Sequence, residues 1–319
     1  MQKFEGLEQE YAKYVGTKFG ISTNTGTSAL HLALKSIGIK KGDEIITSEF
    51  QMIAPAFAVS YCGATPVFVD CDDNLLIDVS KIKRKITKKT KAILVVHTYG
   101  RICQMDKIME LAKKYKLRVI EDGCEAQGGM FEDRMVGSFD IGVFSFYINK
   151  IIPAEEGGMI TTDDENIASR ARFLKNMSFS PEHDFLHQEI GFNYRMTNSQ
   201  ANYALANLRN INQIQQKRYQ VKSWYDKYIK KEYQMPDNRS VVWIYDIKHP
   251  QKDKVVKLLN EKGIKARHGF RAMSEQLPFL GRFKHLKAYK MSKEVMYLPV
   301  SPLMTEEMVK NIADIVNSS

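Results

Sequence analysis

Ahead of residue 200, short apolar strand-like runs alternate with helix-period segments, and this alternation constrains the chain more than any other feature. Strands are expected at Glu44 to Thr47, Pro66 to Asp70, Ala92 to His97 and Arg118 to Glu121, and further ones at Ile141 to Phe146 and Met159 to Thr162. Runs such as Ala-Ile-Leu-Val-Val are apolar at every position, the pattern of strands covered on both faces. Between them, residues 7–15, 28–37, 53–62, 105–115 and 165–176 carry the helical period. Strand and helix in turn give an α/β chain, with a mainly parallel sheet sandwiched by helices.

A long helix is expected over 198–228, linking this unit to a different pattern. Beyond Lys231 come a strand-like Val241 to Ile247, a helix from Lys252 to Lys262, an extended piece near Ile264 and a last helix from Thr305 to Val316. These read as a small α+β unit. The expected division is 1–230 for the large domain and 231–319 for the small one, without a Pro/Gly/Ser linker between them.

The sequence opens on Met-Gln-Lys-Phe-Glu with no apolar stretch, so a cytoplasmic location without a membrane segment is expected. Cys62, Cys71, Cys103 and Cys124 have neither C-x-x-C nor zinc-finger spacing, which points to free thiols. A net charge of +10 suits nucleic acid or small anions such as phosphates and diphosphates. The dense basic run Lys81 to Lys91 lacks interleaved aromatics and reads as a solvated segment rather than a nucleic-acid site. His183 and His187 have metal-compatible spacing but no third ligand in view, so no metal is expected.

Three segments carry chemistry. Ser22 to His31 places a hydroxyl-rich turn before a helix, where free N–H groups seat a phosphate; the same residues also read as an ordinary helix cap. Asp122 follows a buried strand, at the end where open α/β sheets bind ligands, though a turn residue is the plainer reading. Lys150 closes Phe144-Ser145-Phe146-Tyr147-Ile148-Asn149-Lys150, ahead of Glu156-Gly157-Gly158. A lysine in apolar or cationic surroundings deprotonates easily, as attack on a carbonyl requires, but one lysine in a basic chain says little alone.

Together with FEGLEQEYAKYVG, YCGATPVFVD, VVHTYG and GFNYRMTNSQA, these segments stand in the order found in one group of enzymes. The chain resembles the DegT/DnrJ/StrS family of sugar aminotransferases, from Phe4 to the C-terminal helix. The resemblance implies the pyridoxal-phosphate (PLP) fold type I, with a seven-stranded, mainly parallel sheet, and PLP as cofactor. It places Lys150 at the family's Schiff-base lysine, Asp122 at the partner of the ring nitrogen, and Gly26, Thr27 and Ser145 at the phosphate contacts. Glu125 falls near the ring. Asn193 matches an asparagine lent to the phosphate of a neighbouring subunit, which implies a homodimer with shared sites, and Arg195 would order that loop. Tyr99 matches a substrate-facing position.

The chain departs from the family's pattern in two of these places. Met52 stands where a flat side chain usually stacks on the ring, and Pro153-Ala154-Glu155-Glu156 replaces the usual Thr-Thr-Gly-Glu. The resemblance implies glutamate as donor and a nucleotide-linked keto-sugar as acceptor. The segments FLKNMSFSPEHDFLHQEIGFNYRMTN and IKARHGFRAMSEQ look closest to the sugar 4-aminotransferases, implying a 4-keto-6-deoxyhexose, GDP-linked, with Arg267 and Phe270 as candidate contacts. A sugar 3-aminotransferase or dehydratase of the same family stays open, as does a non-catalytic binding protein of this fold. The lysine speaks against the 3-dehydrases, which carry histidine there.

Overall fold

The computed structural model describes residues 4–180, 185–280 and 286–319. In chain order its strands are β1 (Phe19–Thr23), β2 (Glu44–Ser48), β3 (Thr65–Val69), β4 (Thr90–Val96), β5 (Arg118–Asp122), β6 (Met130–Phe131), β7 (Arg134–Met135), β8 (Ile141–Ser145), β9 (Gly158–Thr162), β10 (Tyr245–Lys248), β11 (Arg267–His268) and β12 (Val295–Leu298). The α-helices are α1 (Phe4–Val15), α2 (Gly26–Ser36), α3 (Ala54–Tyr61), α4 (Val79–Ile82), α5 (Met105–Tyr115), α6 (Glu165–Lys175), α7 (Asn198–Arg209), α8 (Ile211–Tyr228), α9 (Lys252–Glu261), α10 (Leu286–Glu294) and α11 (Glu306–Asn317).

Seven strands form one sheet in the order β1-β9-β8-β5-β4-β2-β3. All run in the same direction except β9, which pairs antiparallel with both β1 and β8. This is the mainly parallel α/β sheet expected from the sequence. The two faces of β4 show why its apolar run is continuous. Ala92, Leu94 and Val96 pack in the cluster that holds Leu30 and Leu34 of α2, Val59 of α3 and Leu174 of α6. Ile93 and Val95 pack with Met105, Ile108 and Ala112 of α5 on the opposite side. At roughly 25 cal/mol per Å², such two-sided burial is the main drive for the sheet.

A second sheet, β10-β12-β11, is antiparallel and packs with α8, α9 and α11. Another apolar cluster runs through the molecule, joining Tyr11, Phe144 and Phe146 to Val241, Trp243, Met291 and Val295. It is tied by a fully buried charge group in which Asp246 of β10 meets Arg101 and Arg239. Among the described residues, no helix is long and apolar enough to cross a membrane.

Two expectations are corrected. The helix expected over 198–228 breaks at Asn210, whose side chain turns back to the Ala206 carbonyl at 2.8 Å. The strand expected from Val241 begins only at Tyr245, because the N–H groups of Ser240 and Val241 donate to the Gly100 carbonyl instead. Two strands were not expected: β1, of five residues, and β12, which follows α10 without an intervening turn. All four cysteines are free and buried. Within the basic run, Lys81 bridges Asp70 and Asp78 at 3.2 and 2.9 Å.

Candidate active site

A cavity of about 720 Å³ opens at the carboxyl ends of the parallel strands. Gly26, Thr27, Met52, Asp122, Glu125, Ser145, Lys150, Arg267 and Phe270 all line it. Nine of the twelve residues singled out from the sequence thus meet in one place, although they come from segments spread over most of the chain.

One wall is the first turn of α2. Thr25 caps the helix, its hydroxyl oxygen accepting from the Ser28 N–H at 3.0 Å, while the Ala29 N–H is taken by the Thr25 carbonyl. The amides of Gly26 and Thr27 remain outside the helix's own bonding, at its electropositive end. Gly26 is required here by contact: a Cβ on it would lie 2.7 Å from Ser145 Cβ. The close approach sets the Ser145 side chain, whose Oγ accepts from the Tyr147 N–H at 3.3 Å, beside the free amides.

Opposite stand two carboxylates beyond β5. Asp122 is buried, with Oδ1 accepting from the Cys124 N–H at 3.0 Å. Glu125 Oε2 accepts from the Tyr99 N–H at 2.9 Å, and its Oε1 lies 4.0 Å from Lys150 Nζ. Burial pushes the Glu125 carboxyl up to about 7, against the opposing pull of Lys150 and of the Tyr99 bond. Ionising a carboxyl with a raised folded value costs stability, a cost absent near pH 4.5 and complete above about pH 7. Glu125→Gln keeps the acceptor for Tyr99, so at pH 8 it should be more stable than wild type by on the order of 2 kcal/mol, and near pH 4.5 equal to it. Urea titrations at the two pH values check this.

Lys150 sits in the loop joining β8 to β9. That loop is a hairpin held by Phe146 N–H to Gly157 O at 2.9 Å and Ile148 N–H to Glu155 O at 3.0 Å, with Lys150 N–H closing a turn onto Tyr147 O at 2.8 Å. Glu155, which occupies the usual glycine position, has φ +65, a left-handed conformation that glycine adopts without steric cost. Of the two added or retained acids, Glu156 lines the cavity and Glu155 does not, and burial raises the Glu156 carboxyl.

Tyr99 does not face the cavity. It is fully buried at φ +56, and its hydroxyl accepts from the Phe270 N–H at 3.1 Å while its own N–H holds Glu125. It therefore supports two lining residues from behind. Asn193 and Arg195 lie elsewhere, in a second cavity of about 990 Å³ with Lys18, Arg172 and Lys175; there Arg195 Nη1 donates to Asn176 Oδ1 at 2.9 Å. His183 falls outside the described residues, His187 donates to the Met177 carbonyl at 2.7 Å, and no metal-binding group occurs among the described residues.

The sequence reading missed Trp243 and Tyr297, which line the cavity with Phe270. Within Val-Val-Trp-Ile-Tyr, Trp243 reads as a core strand residue. That the chain leading into it, at Ser240 and Val241, is bonded to the Gly100 carbonyl could have been found only from the fold.

Residues 2–317 match the model of the DegT/DnrJ/EryC1/StrS aminotransferase family. The chain belongs to this family. Among DegT/DnrJ/EryC1/StrS relatives, a GDP-perosamine synthase of Caulobacter vibrioides is 41% identical over 86% of this chain and 77% of that one. A GDP-perosamine synthase of Escherichia coli O157:H7 is 36% identical over 99% and 89%. A dTDP-3-amino-3,6-dideoxy-alpha-D-galactopyranose transaminase of Aneurinibacillus thermoaerophilus is 33% identical over 98% and 89%. Among solved structures, S. venezuelae DesV in complex with a ketimine intermediate has a TM-score of 0.93 at 26% identity, across all of this chain and 89% of that one. The fold of this aminotransferase family is thus the fold of the chain.

Proposed function

We propose that the protein transfers an amino group from glutamate to a nucleotide-linked 4-keto-6-deoxy sugar, GDP-linked, using PLP held in the 720 Å³ cavity. The observation that carries this reading is the convergence in one cavity of an anion seat, a buried carboxylate and a primary amine. The donor set fits the cofactor: the Gly26 and Thr27 amides with Ser145 suit its phosphate, Asp122 its ring nitrogen, and Lys150 its aldehyde. Bound there, PLP supplies an electron sink for bonds to the carbon bearing the amino group.

The chain's own residues do the rest. Asp122 would hold the cofactor's ring nitrogen and keep its proton in place. Lys150 moves the proton at Nζ, with Glu125 at 4.0 Å as the nearby carboxyl. Met52, half-exposed at the cavity, would pack against the cofactor's ring as a soft thioether. Phe270, Tyr297 and Trp243 form an aromatic wall suited to a deoxygenated sugar, and the exposed Arg267 suits its diphosphate. Asn193 and Arg195, away from their own chain's cavity, fit a role in the site of a second copy, so the working form in this reading is a homodimer. In this reading residues 1–230 form the cofactor-holding unit and 231–319 the unit that closes on the sugar.

Two GDP-perosamine synthases among the relatives favour 4-amination, and the 3-amino transaminase keeps a 3-keto acceptor as the second reading. The test is product formation from PLP, glutamate and either a GDP-linked 4-keto-6-deoxyhexose or a dTDP-linked 3-keto-6-deoxyhexose. An amino sugar from the first supports the proposal. One from the second alone moves the assignment to 3-amination. No product from either, with no spectral response to glutamate, sinks the aminotransferase reading and favours a binding role.

A further inference from the structure

We infer that Trp243 is a positioning residue for Lys150, holding the free lysine side chain against its indole face so that the amine stays aimed into the cavity. The inference rests on Lys150 being the reactive lysine of the proposed function.

Lys150 Nζ lies 4.0 Å from the centroid of the Trp243 ring, in a side chain only 12% exposed. At that distance the negative face of the indole attracts a cation, most strongly where water is scarce. Glu125 Oε1, also at 4.0 Å, is the one carboxylate oxygen in ion-pair range of Nζ among the described residues. Neither contact is a hydrogen bond to a fixed acceptor. The lysine is held by two broad attractions that leave its lone pair or proton free for chemistry.

The ring is itself fixed. Its Nε1–H donates to the Asn149 carbonyl at 2.8 Å, so the tryptophan grips the backbone immediately before Lys150. Its main-chain carbonyl accepts from Arg218 Nη1 at 2.9 Å. Arg218, on α8, is buried with no carboxylate in ion-pair range among the described residues; Nη1 also reaches the Val300 carbonyl at 3.2 Å, and Nε has no partner. Burying a guanidinium without a counter-charge is costly, and burial lowers its pKa to about 10. What that arrangement secures is the carbonyl of Trp243. Tyr99 and Tyr297 flank the indole at 6.2 and 6.3 Å between centroids, completing its support.

The consequence is geometric. The loop that bears Lys150 carries Tyr147 and Ile148 exposed at its tip, so without the indole the amine has solvent to turn toward. Proton transfer requires the amine at hydrogen-bond distance from its target, and displacement by 1 Å costs on the order of a hundredfold.

The test uses cofactor-free wild type, Trp243→Phe and Trp243→Leu, mixed with PLP across a range of pH, with the growth of the visible band as the capture rate and circular dichroism as the check of folding. The Leu variant should capture about tenfold more slowly at its plateau, and its half-maximal pH should fall by about half a unit, because the cation loses its partner. The Phe variant keeps a ring face and should keep the wild-type half-maximal pH. A folded Leu variant with the wild-type rate and profile overturns the inference, as does a Phe variant shifted as far as Leu. If Leu does not fold, Trp224→Phe leaves Trp243 as the sole indole, and Lys150→Met in that background should change its emission; unchanged emission overturns the inference. A wild type that forms no band overturns this inference and the proposed function together, whereas a normal band with an indifferent Leu variant overturns this inference alone.

Discussion

Lys150→Ala is expected to lower turnover of the 4-keto sugar by on the order of a thousandfold or more, with little change in stability. The two halves of that expectation have separate causes. Among the described residues Nζ makes no side-chain hydrogen bond, its ion pair with Glu125 spans 4.0 Å, and the turn that shapes its loop uses the Lys150 backbone N–H, which alanine retains. Truncation therefore removes an amine and leaves the hairpin standing. The chemistry has no substitute within reach, because among the described residues no other lysine lines the cavity. Turnover measured beside a urea denaturation curve separates the two effects. A comparable loss in both would mean that the lysine is structural.

Asp246→Ala is expected to be the most destabilising single change discussed, by about 3–5 kcal/mol. Asp246 Oδ1 accepts from Arg101 Nη1 at 3.1 Å and from Arg239 Nε at 3.2 Å. Arg101 Nη2 lies 2.9 Å from Oδ2, as a charge contact rather than an aligned hydrogen bond. Carboxylate and guanidinium groups are all but fully buried, so removing the carboxylate strands two positive charges in the interior. Burial alone would raise the Asp246 carboxyl; Arg101 and Arg239 outweigh it and hold the group below its ordinary value. The stability it contributes is thus fully present above about pH 4 and lost as pH falls through that lowered value. The urea midpoint of Asp246→Ala at pH 7 checks the size, and the acid limb of wild type checks the sign. Because Arg101 follows Tyr99, which holds both Glu125 and Phe270, the variant should also lose activity beyond its unfolded fraction.

Much of this was legible beforehand, for reasons that can be named. The parallel strands announce themselves because two-sided burial leaves runs such as Ala92 to Val96 wholly apolar. Gly26, Asp122 and Lys150 were each ambiguous alone; ordered together, they pointed to one cavity, and the fold brings them there. What the sequence hid are relations between distant segments. The HTYG motif points Tyr99 toward the substrate, yet its hydroxyl is occupied by a backbone N–H 171 residues further along. Trp243 sits beneath Lys150 because its backbone is held by Arg218 and its ring by Asn149, bonds with no local sequence signature. Asn193 and Arg195 gather around a separate cavity, away from the one that the other nine residues line. Local pattern records which face of an element is covered, not which side chain reaches across from another.

The central claim is that Lys150 is the amine that bonds the cofactor. The most direct measurement is borohydride reduction of the protein with PLP, followed by digestion and mass spectrometry of every lysine-bearing peptide. A stable pyridoxyl adduct on the peptide containing Lys150, absent after prior incubation with glutamate, is the predicted result. An adduct spread over surface lysines, or confined to any lysine other than Lys150, would contradict it.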